Sequence, residues 1–213
     1  MHTALQIPTA ELVKSACEKF DRENELSELA LVELFRQYPH NGELTHILLK
    51  VVAVNSLYRT NIFALEAVAR HIHSNVPDVD ALLAAGAPEV VNTIARISIG
   101  GKKFNFFSFA TKYCSWHNPR AYPIYDSRVD DYLWTLQKQS HFAGFLHADL
   151  WDYPKFLNIV TGFREFYGLG SFSFKELDKF LYLQCEPPCS TEEEMPRPDM
   201  GAFDFFPAEE MRS

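Results

Sequence analysis

No stretch of this 213-residue chain is apolar for long enough to span a bilayer, and no leader peptide is legible, so a cytoplasmic protein with no membrane partner is expected. Cysteine is sparse. Cys17, Cys114, Cys185 and Cys189 are scattered without the paired spacing of a zinc site, and a chain of this size needs no disulfide framework. No cofactor and no metal are expected. No segment alternates with period two and no repeat recurs, which argues against a β-rich fold and a solenoid. Positive charge is also short: 20 Lys and Arg face 28 Asp and Glu, a net −8 that argues against a polyanion partner at first sight.

What is present is a core. Hydrophobic residues make up 47% of the chain, with 18 phenylalanines among them. Thr9 is placed to cap a first helix carrying Leu12, Val13, Ala16 and Phe20, and Leu26–Tyr38 repeats the pattern up to Pro39. Leu44, Ile47, Leu48, Val51 and Val52 predict a helix over Glu43–Val54, interrupted by Asn55–Thr60. Thr60 or Asn61 is expected to cap the next, with Ile62, Leu65, Val68, Ala69 and Ile72. Short helices follow Pro77-Asp78 and Pro88, and helices are expected over Ser127–Gln139, from Asp152-Pro154, and over Phe174–Leu183 behind a Ser173/Glu176 capping box. The predicted class is all-α, with about nine or ten helices.

The densest information lies in Gly100–Tyr132. Phe104, Phe106, Phe107, Phe109, Ala110, Tyr113, Cys114 and Trp116 predict a helix apolar almost all round, hence buried. A narrow polar strip of Asn105, Ser108, Lys112 and Ser115 survives on it. Asn118-Pro119 and Tyr122-Pro123 then force an extended turn that delivers Asp126 to the start of the next helix. Charge is uneven too. Six basic residues and one acid lie between Arg96 and Arg128, whereas eight acids and two arginines follow Cys185. The chain therefore divides into a domain over 1–185 and an acidic, Pro-rich tail over 186–213 expected to be disordered. Phe203-Asp204-Phe205-Phe206 gives the tail either a docking peptide for a protein partner or a segment that folds back.

Several of these features resemble the helix-hairpin-helix DNA glycosylase superfamily. A helix runs into a polar break, short helices follow, and a Gly-Gly-Lys-Lys hairpin precedes a buried helix and an Asp-capped one. Phe109-Ala110-Thr111-Lys112 and Pro123-Ile124-Tyr125-Asp126-Ser127-Arg128-Val129 are similar to archaeal-type 8-oxoguanine DNA glycosylases. Ser-Phe-Ala-x-Lys-Tyr-Cys and Tyr-Pro-Ile-Tyr-Asp also look like a set of uncharacterised bacterial proteins. Two departures stand out. Ile97–Lys103 lacks the family's hairpin proline and one residue between its glycines, and no four clustered cysteines are present for an iron–sulfur cluster.

The resemblance implies a two-lobed helical fold, a damaged DNA base as substrate and base excision repair as the setting, with or without lyase activity. The catalytic roles fall to Asp126 as carboxylate and, as amine, to Lys103 or Lys102, since the family's lysine opens the helix after the hairpin; alternatively Lys112 is the amine and the hairpin lysines only touch phosphate, with Gly100, Gly101, Lys102 and Arg128 meeting the phosphate backbone. Tyr113, Trp116, His117 and Tyr125 are candidates for the pocket of a flipped base, with Phe107 beside them. The residues also admit plainer roles. Asp126 serves equally as an N-cap, Lys112 as its structural ion partner, Gly100-Gly101 as an ordinary turn, and the aromatics as core. The corresponding alternative is a non-catalytic all-α module that binds nucleic acid or protein on the same fold. Cys114-x-x-His117 has no matching second pair, and His71 and His73 point different ways on their helix.

Overall fold

The computed structural model describes residues 5–75 and 78–184, so the acidic stretch 186–213 lies outside it, as do Cys185 and Cys189. Among the described residues the chain forms nine α-helices, one 3₁₀ helix and two short strands. They run α1 (Ala10–Gln37), α2 (Leu44–Tyr58), α3 (Leu65–Ser74), α4 (Asp78–Ala85), α5 (Glu89–Ala95), β1 (Arg96–Ile99), β2 (Lys102–Asn105), α6 (Phe107–His117), α7 (Ser127–Ser140), a 3₁₀ helix (His147–Trp151), α8 (Tyr153–Phe166) and α9 (Phe174–Gln184). The all-α class holds. Among the described residues no helix is long and apolar enough to cross a membrane.

The expected start signals mostly work. Thr9 accepts from the Leu12 amide, Asp152 from the Lys155 amide, and Ser173 and Glu176 cap reciprocally at the head of α9. Three expectations need correction. The two N-terminal helices are one 28-residue helix, because Asp21–Glu25 is polar but contains no glycine or proline to break it. Helix α2 runs through the supposed break to Tyr58 and stops only where Arg59 turns left-handed, at φ +50°. Neither Thr60 nor Asn61 caps the next helix: α3 begins at Leu65, and Ile62 precedes it.

A further correction concerns the stretch ahead of the buried helix. Arg96–Asn105 is an antiparallel β-ribbon in which Ile99 pairs with Lys102 and Ile97 with Phe104. Gly100 and Gly101 form its two-residue turn at φ +56° and +78°, a geometry that suits glycine because no Cβ opposes it. Phe104 and Asn105 therefore belong to β2 rather than to the helix, and every β2 residue is exposed. The polar strip of α6 shrinks to Ser108, Lys112 and Ser115.

Helix α6 is the middle of the molecule. Phe107, Phe109, Ala110, Tyr113 and Cys114 are buried in an apolar cluster continuous from Val13 of α1 to Leu181 of α9. Each large side chain buried there contributes about 1.5–3 kcal/mol. Lys112 and Thr111 are buried with them, and a polar group in such surroundings must find partners.

Candidate functional site

Those partners come from the turn that leaves α6. Thr111 Oγ1 accepts from the Tyr125 amide at 3.1 Å, and the Tyr153 hydroxyl donates to the Pro123 carbonyl at 3.0 Å. The prolines keep the turn extended, and these two bonds pin it against α6 and α8. The Lys112 ammonium donates to Ser108 Oγ at 2.7 Å and to the Tyr125 carbonyl at 3.1 Å. Its nitrogen lies 3.9 Å from Asp126 Oδ2. Asp126 Oδ1 meanwhile accepts the Arg128 and Val129 amides at 3.0 and 2.9 Å and so caps α7. One carboxylate thus closes a helix with one oxygen and faces a lysine with the other.

The pair sits in a cleft of about 840 Å³. Helix α1 contributes Glu28, the end of α2 contributes Tyr58, and α9 contributes Asp178 and Tyr182. Phe106 and Phe107 at the head of α6, Tyr125, Arg128 and Trp151 complete the wall. Trp151 is 59% exposed and packs against Tyr125, with ring centroids 5.4 Å apart. Arg128 stacks on the Tyr182 ring and Lys112 lies over the Tyr58 ring at 5.6 Å. The Lys112 side chain is only 4% exposed and that of Asp126 23%, so the amine is at the floor and the carboxylate nearer the opening.

Burial governs the protonation states here. It lowers the Lys112 pKa, with Asp126 and then Asp178 pulling the other way. It raises Tyr58 well above the usual phenol range. The Tyr58 hydroxyl accepts from Trp116 Nε1 at 3.0 Å, and Lys175, paired with Glu28 at 3.1 Å, lies 4.1 Å from the Trp116 ring centroid. An amine whose charged form burial disfavours, beside a carboxylate, in an aromatic-walled hollow, is equipped to attack an electrophilic carbon and to stabilise a neighbouring positive charge.

Of the residues that the sequence singles out, Lys112, Asp126, Tyr125, Arg128 and Phe107 come together in this cleft. Lys103 does not. It lies with Lys102 on exposed β2, opening no helix, and Gly100 and Gly101 are at the tip of the same ribbon. Tyr113 is wholly buried and donates to Asn41 Oδ1 at 2.6 Å, away from the cleft. Trp116 and His117 border a separate, smaller hollow with Phe35, Pro39 and Pro119. Sequence reasoning missed Tyr58, Trp151, Glu28 and Asp178. Asp178 did carry a signal: Phe174, Leu177, Asp178 and Leu181 have i, i+3, i+4, i+7 spacing, which puts an acid on the apolar stripe of α9. Among the described residues no group of three or more His, Cys, Asp or Glu is placed to hold a metal ion.

Comparison with known proteins adds a family but no activity. A family model described as an N-terminal domain, HI_0787_N, matches residues 12–121, which takes in α1 to α6 and Lys112 but stops short of Asp126. An uncharacterised protein of Haemophilus influenzae is 44% identical over 129 residues, and the match spans 61% of this chain and 61% of that protein's length. No solved structure matches the chain. With more than half of its residues inside the matched region, the chain belongs to the HI_0787_N family.

Proposed function

We propose that the protein is a DNA-repair-like glycosylase with lyase activity, removing a damaged base through Lys112 and Asp126. One observation carries the reading: a buried amine with a lowered pKa lies 3.9 Å from a helix-capping carboxylate in an open, aromatic-walled cleft. A nucleotide flipped out of a duplex would place its base among Phe106, Tyr125, Trp151 and Tyr182. As the bond between base and sugar C1′ breaks, the Asp126 carboxylate stabilises the oxocarbenium character at C1′. The deprotonated form of Lys112, towards which burial shifts it, adds to that carbon, and ring opening gives a Schiff base that borohydride reduces to a stable adduct. Arg128 and the exposed β2 lysines supply positive charge for the flanking phosphates.

Borohydride trapping on a duplex carrying one abasic site tests the assignment. The wild type is expected to form a covalent adduct. At saturating duplex Lys112→Ala is expected to lose it by at least about 10²-fold, and Lys103→Ala, which weakens only duplex affinity, to retain it. An adduct undiminished in Lys112→Ala overturns the choice of nucleophile.

A second reading has its own observation. Ser108 Oγ, the Tyr125 carbonyl and Asp126 already satisfy the Lys112 ammonium, as a structural ion pair would. On that reading the protein is a non-catalytic nucleic-acid- or protein-binding module. The wild type then forms no adduct, and Lys112→Ala costs about 3–5 kcal/mol of stability without changing any reaction.

A further inference from the structure

We propose that Asp178 is the acid that protonates the departing base, so that the cleft divides its chemistry between two carboxyl groups. The inference rests on the glycosylase reading and extends it to a residue and a step.

Asp126 and Asp178 share the cleft but not the same surroundings. Both Asp126 oxygens are engaged, one by two backbone amides and the other opposite Lys112. Asp178 projects from the middle of α9, on the stripe that otherwise carries Phe174, Leu177 and Leu181. Among the described residues no donor hydrogen-bonds to its carboxyl group, and the residue lines the cleft. An acid on an apolar stripe, aimed into a cavity and without a fixed partner, is free to meet a ligand.

The groups around it come from every neighbouring helix. Glu28 faces it from α1, Tyr58 from α2, Lys112 from α6 and Asp126 from the head of α7, while Lys175 lies one turn back on α9. Arg128 and Tyr182 line the same hollow. Burial pushes the Asp178 carboxyl up to about 7. Lys175 opposes that rise, Asp126 adds to it, and Lys112 and Glu28 make smaller contributions of each sign. Two carboxyl groups in one site with different environments are suited to opposite roles, one as anion and one as proton donor.

The step balances. The C1′–N bond breaks and its electron pair stays with the base. The Asp178 O–H proton passes to a ring nitrogen or exocyclic oxygen of that base, leaving Asp178 as carboxylate. Lys112 Nζ forms the new bond to C1′, and the proton it sheds goes to the Asp126 carboxylate. A neutral base needs such a proton to leave, whereas a base that is already cationic does not. The substrate class is therefore a neutral damaged base, such as an oxidised purine.

The experiment uses the full-length protein and two duplexes, one with a single 8-oxoguanine and one with a preformed abasic site. Trapping on the abasic duplex involves no leaving base and reads Lys112 alone. Asp178→Asn is expected to slow release of 8-oxoguanine about 10²-fold more than it slows that trapping. The wild-type rate of base release should fall as pH rises through about 7, where Asp178 loses its proton, and Asp178→Asn should lose that limb while Asp178→Glu restores it. Equal release by variant and wild type overturns the proposal, and so does a parallel loss on both duplexes, which marks a structural role. Wild-type trapping without release of 8-oxoguanine also overturns it, leaving a lyase. No wild-type adduct on either duplex overturns the glycosylase reading and this step with it.

Discussion

Lys50 has no exposed surface, yet its ammonium is surrounded by acceptors: the Tyr38 and His40 carbonyls at 3.1 and 3.0 Å, Asn41 Oδ1 at 2.8 Å and His117 Nε2 at 3.2 Å. His117 accepts at Nε2, so its proton belongs on Nδ1, toward the Pro39 backbone. Burial first, and the Lys50 charge second, pull the His117 pKa down to about 3. Between that value and about 6.5 the unfolded chain binds a proton that the folded chain refuses. The stability contribution is therefore complete above about pH 6.5 and is lost as pH falls toward 3. His117 is only partly buried and lines the smaller hollow, which discounts the effect to about 2 kcal/mol between pH 7 and pH 4. Urea unfolding across that range should show the loss in the wild type and a flatter profile in His117→Gln, which keeps an acceptor but cannot titrate. Lys50 also shows how polar residues of this protein can be read. Ile47, Lys50, Val51 and Val54 share one buried stripe, as Phe174, Leu177, Asp178 and Leu181 do on α9. A charge at an apolar position of a helical stripe was visible in the sequence in both cases. What could not be seen was its partner, because the Tyr38 carbonyl and His117 reach Lys50 only through the packing of α1 and α6 on α2.

At the scale of elements, the link between α2 and α3 is the one most dependent on a single side chain. Arg59 and Asn61 both hold positive φ, at +50° and +57°, which costs a residue with a Cβ about 1 kcal/mol or more. Asn55 offsets that strain. Its Oδ1 accepts from Thr60 Oγ1 at 2.7 Å and from the Ile62 amide at 2.9 Å, and its Nδ2 donates to the Ile62 carbonyl at 3.2 Å. Asn55→Ala is expected to lower stability by about 2 kcal/mol, measured by denaturant midpoint at unchanged slope. Because Arg59, Thr60 and Ile62 line the cleft, the same variant should also raise amide exchange there. Helix ends of this kind divide into legible and illegible ones. Thr9, Asp126, Asp152 and Ser173 act from side chains next to the helix they start, so their roles could be read directly. The end of α2 is set by a bond network that closes over seven residues, and propensity put it four residues too early. The β1–β2 ribbon was hidden for a different reason: β1 alternates over only four residues, too few to stand out as a pattern, and β2 is exposed on both faces and does not alternate in burial at all.

At the scale of the whole molecule, the cleft is assembled from residues as distant as Glu28 and Tyr182. Its local half was readable, since Lys112 and Asp126 sit on one buried helix and the turn leaving it. Its other half, from α1, α2 and α9, depends on long-range packing that no local pattern encodes. Charge, by contrast, is a property of the entire chain that sequence states outright. Of the net −8, −6 lies in residues 186–213, so residues 1–185 are close to neutral and carry the basic run from Arg96 to Arg128. If that run meets phosphates, the acidic segment competes with them for the same positive surface, and electrostatic competition weakens as salt rises. Fluorescence anisotropy with a duplex of about 15 base pairs therefore separates two outcomes. At about 50 mM salt a 1–185 protein is expected to bind several-fold more tightly than the full chain, and at about 200 mM the gap should close, because screening removes the competitor's advantage along with most of the affinity. Equal binding at both salt concentrations means that residues 186–213 do not act on the basic surface, and it turns attention to Phe203, Phe205 and Phe206 as contacts for a protein instead.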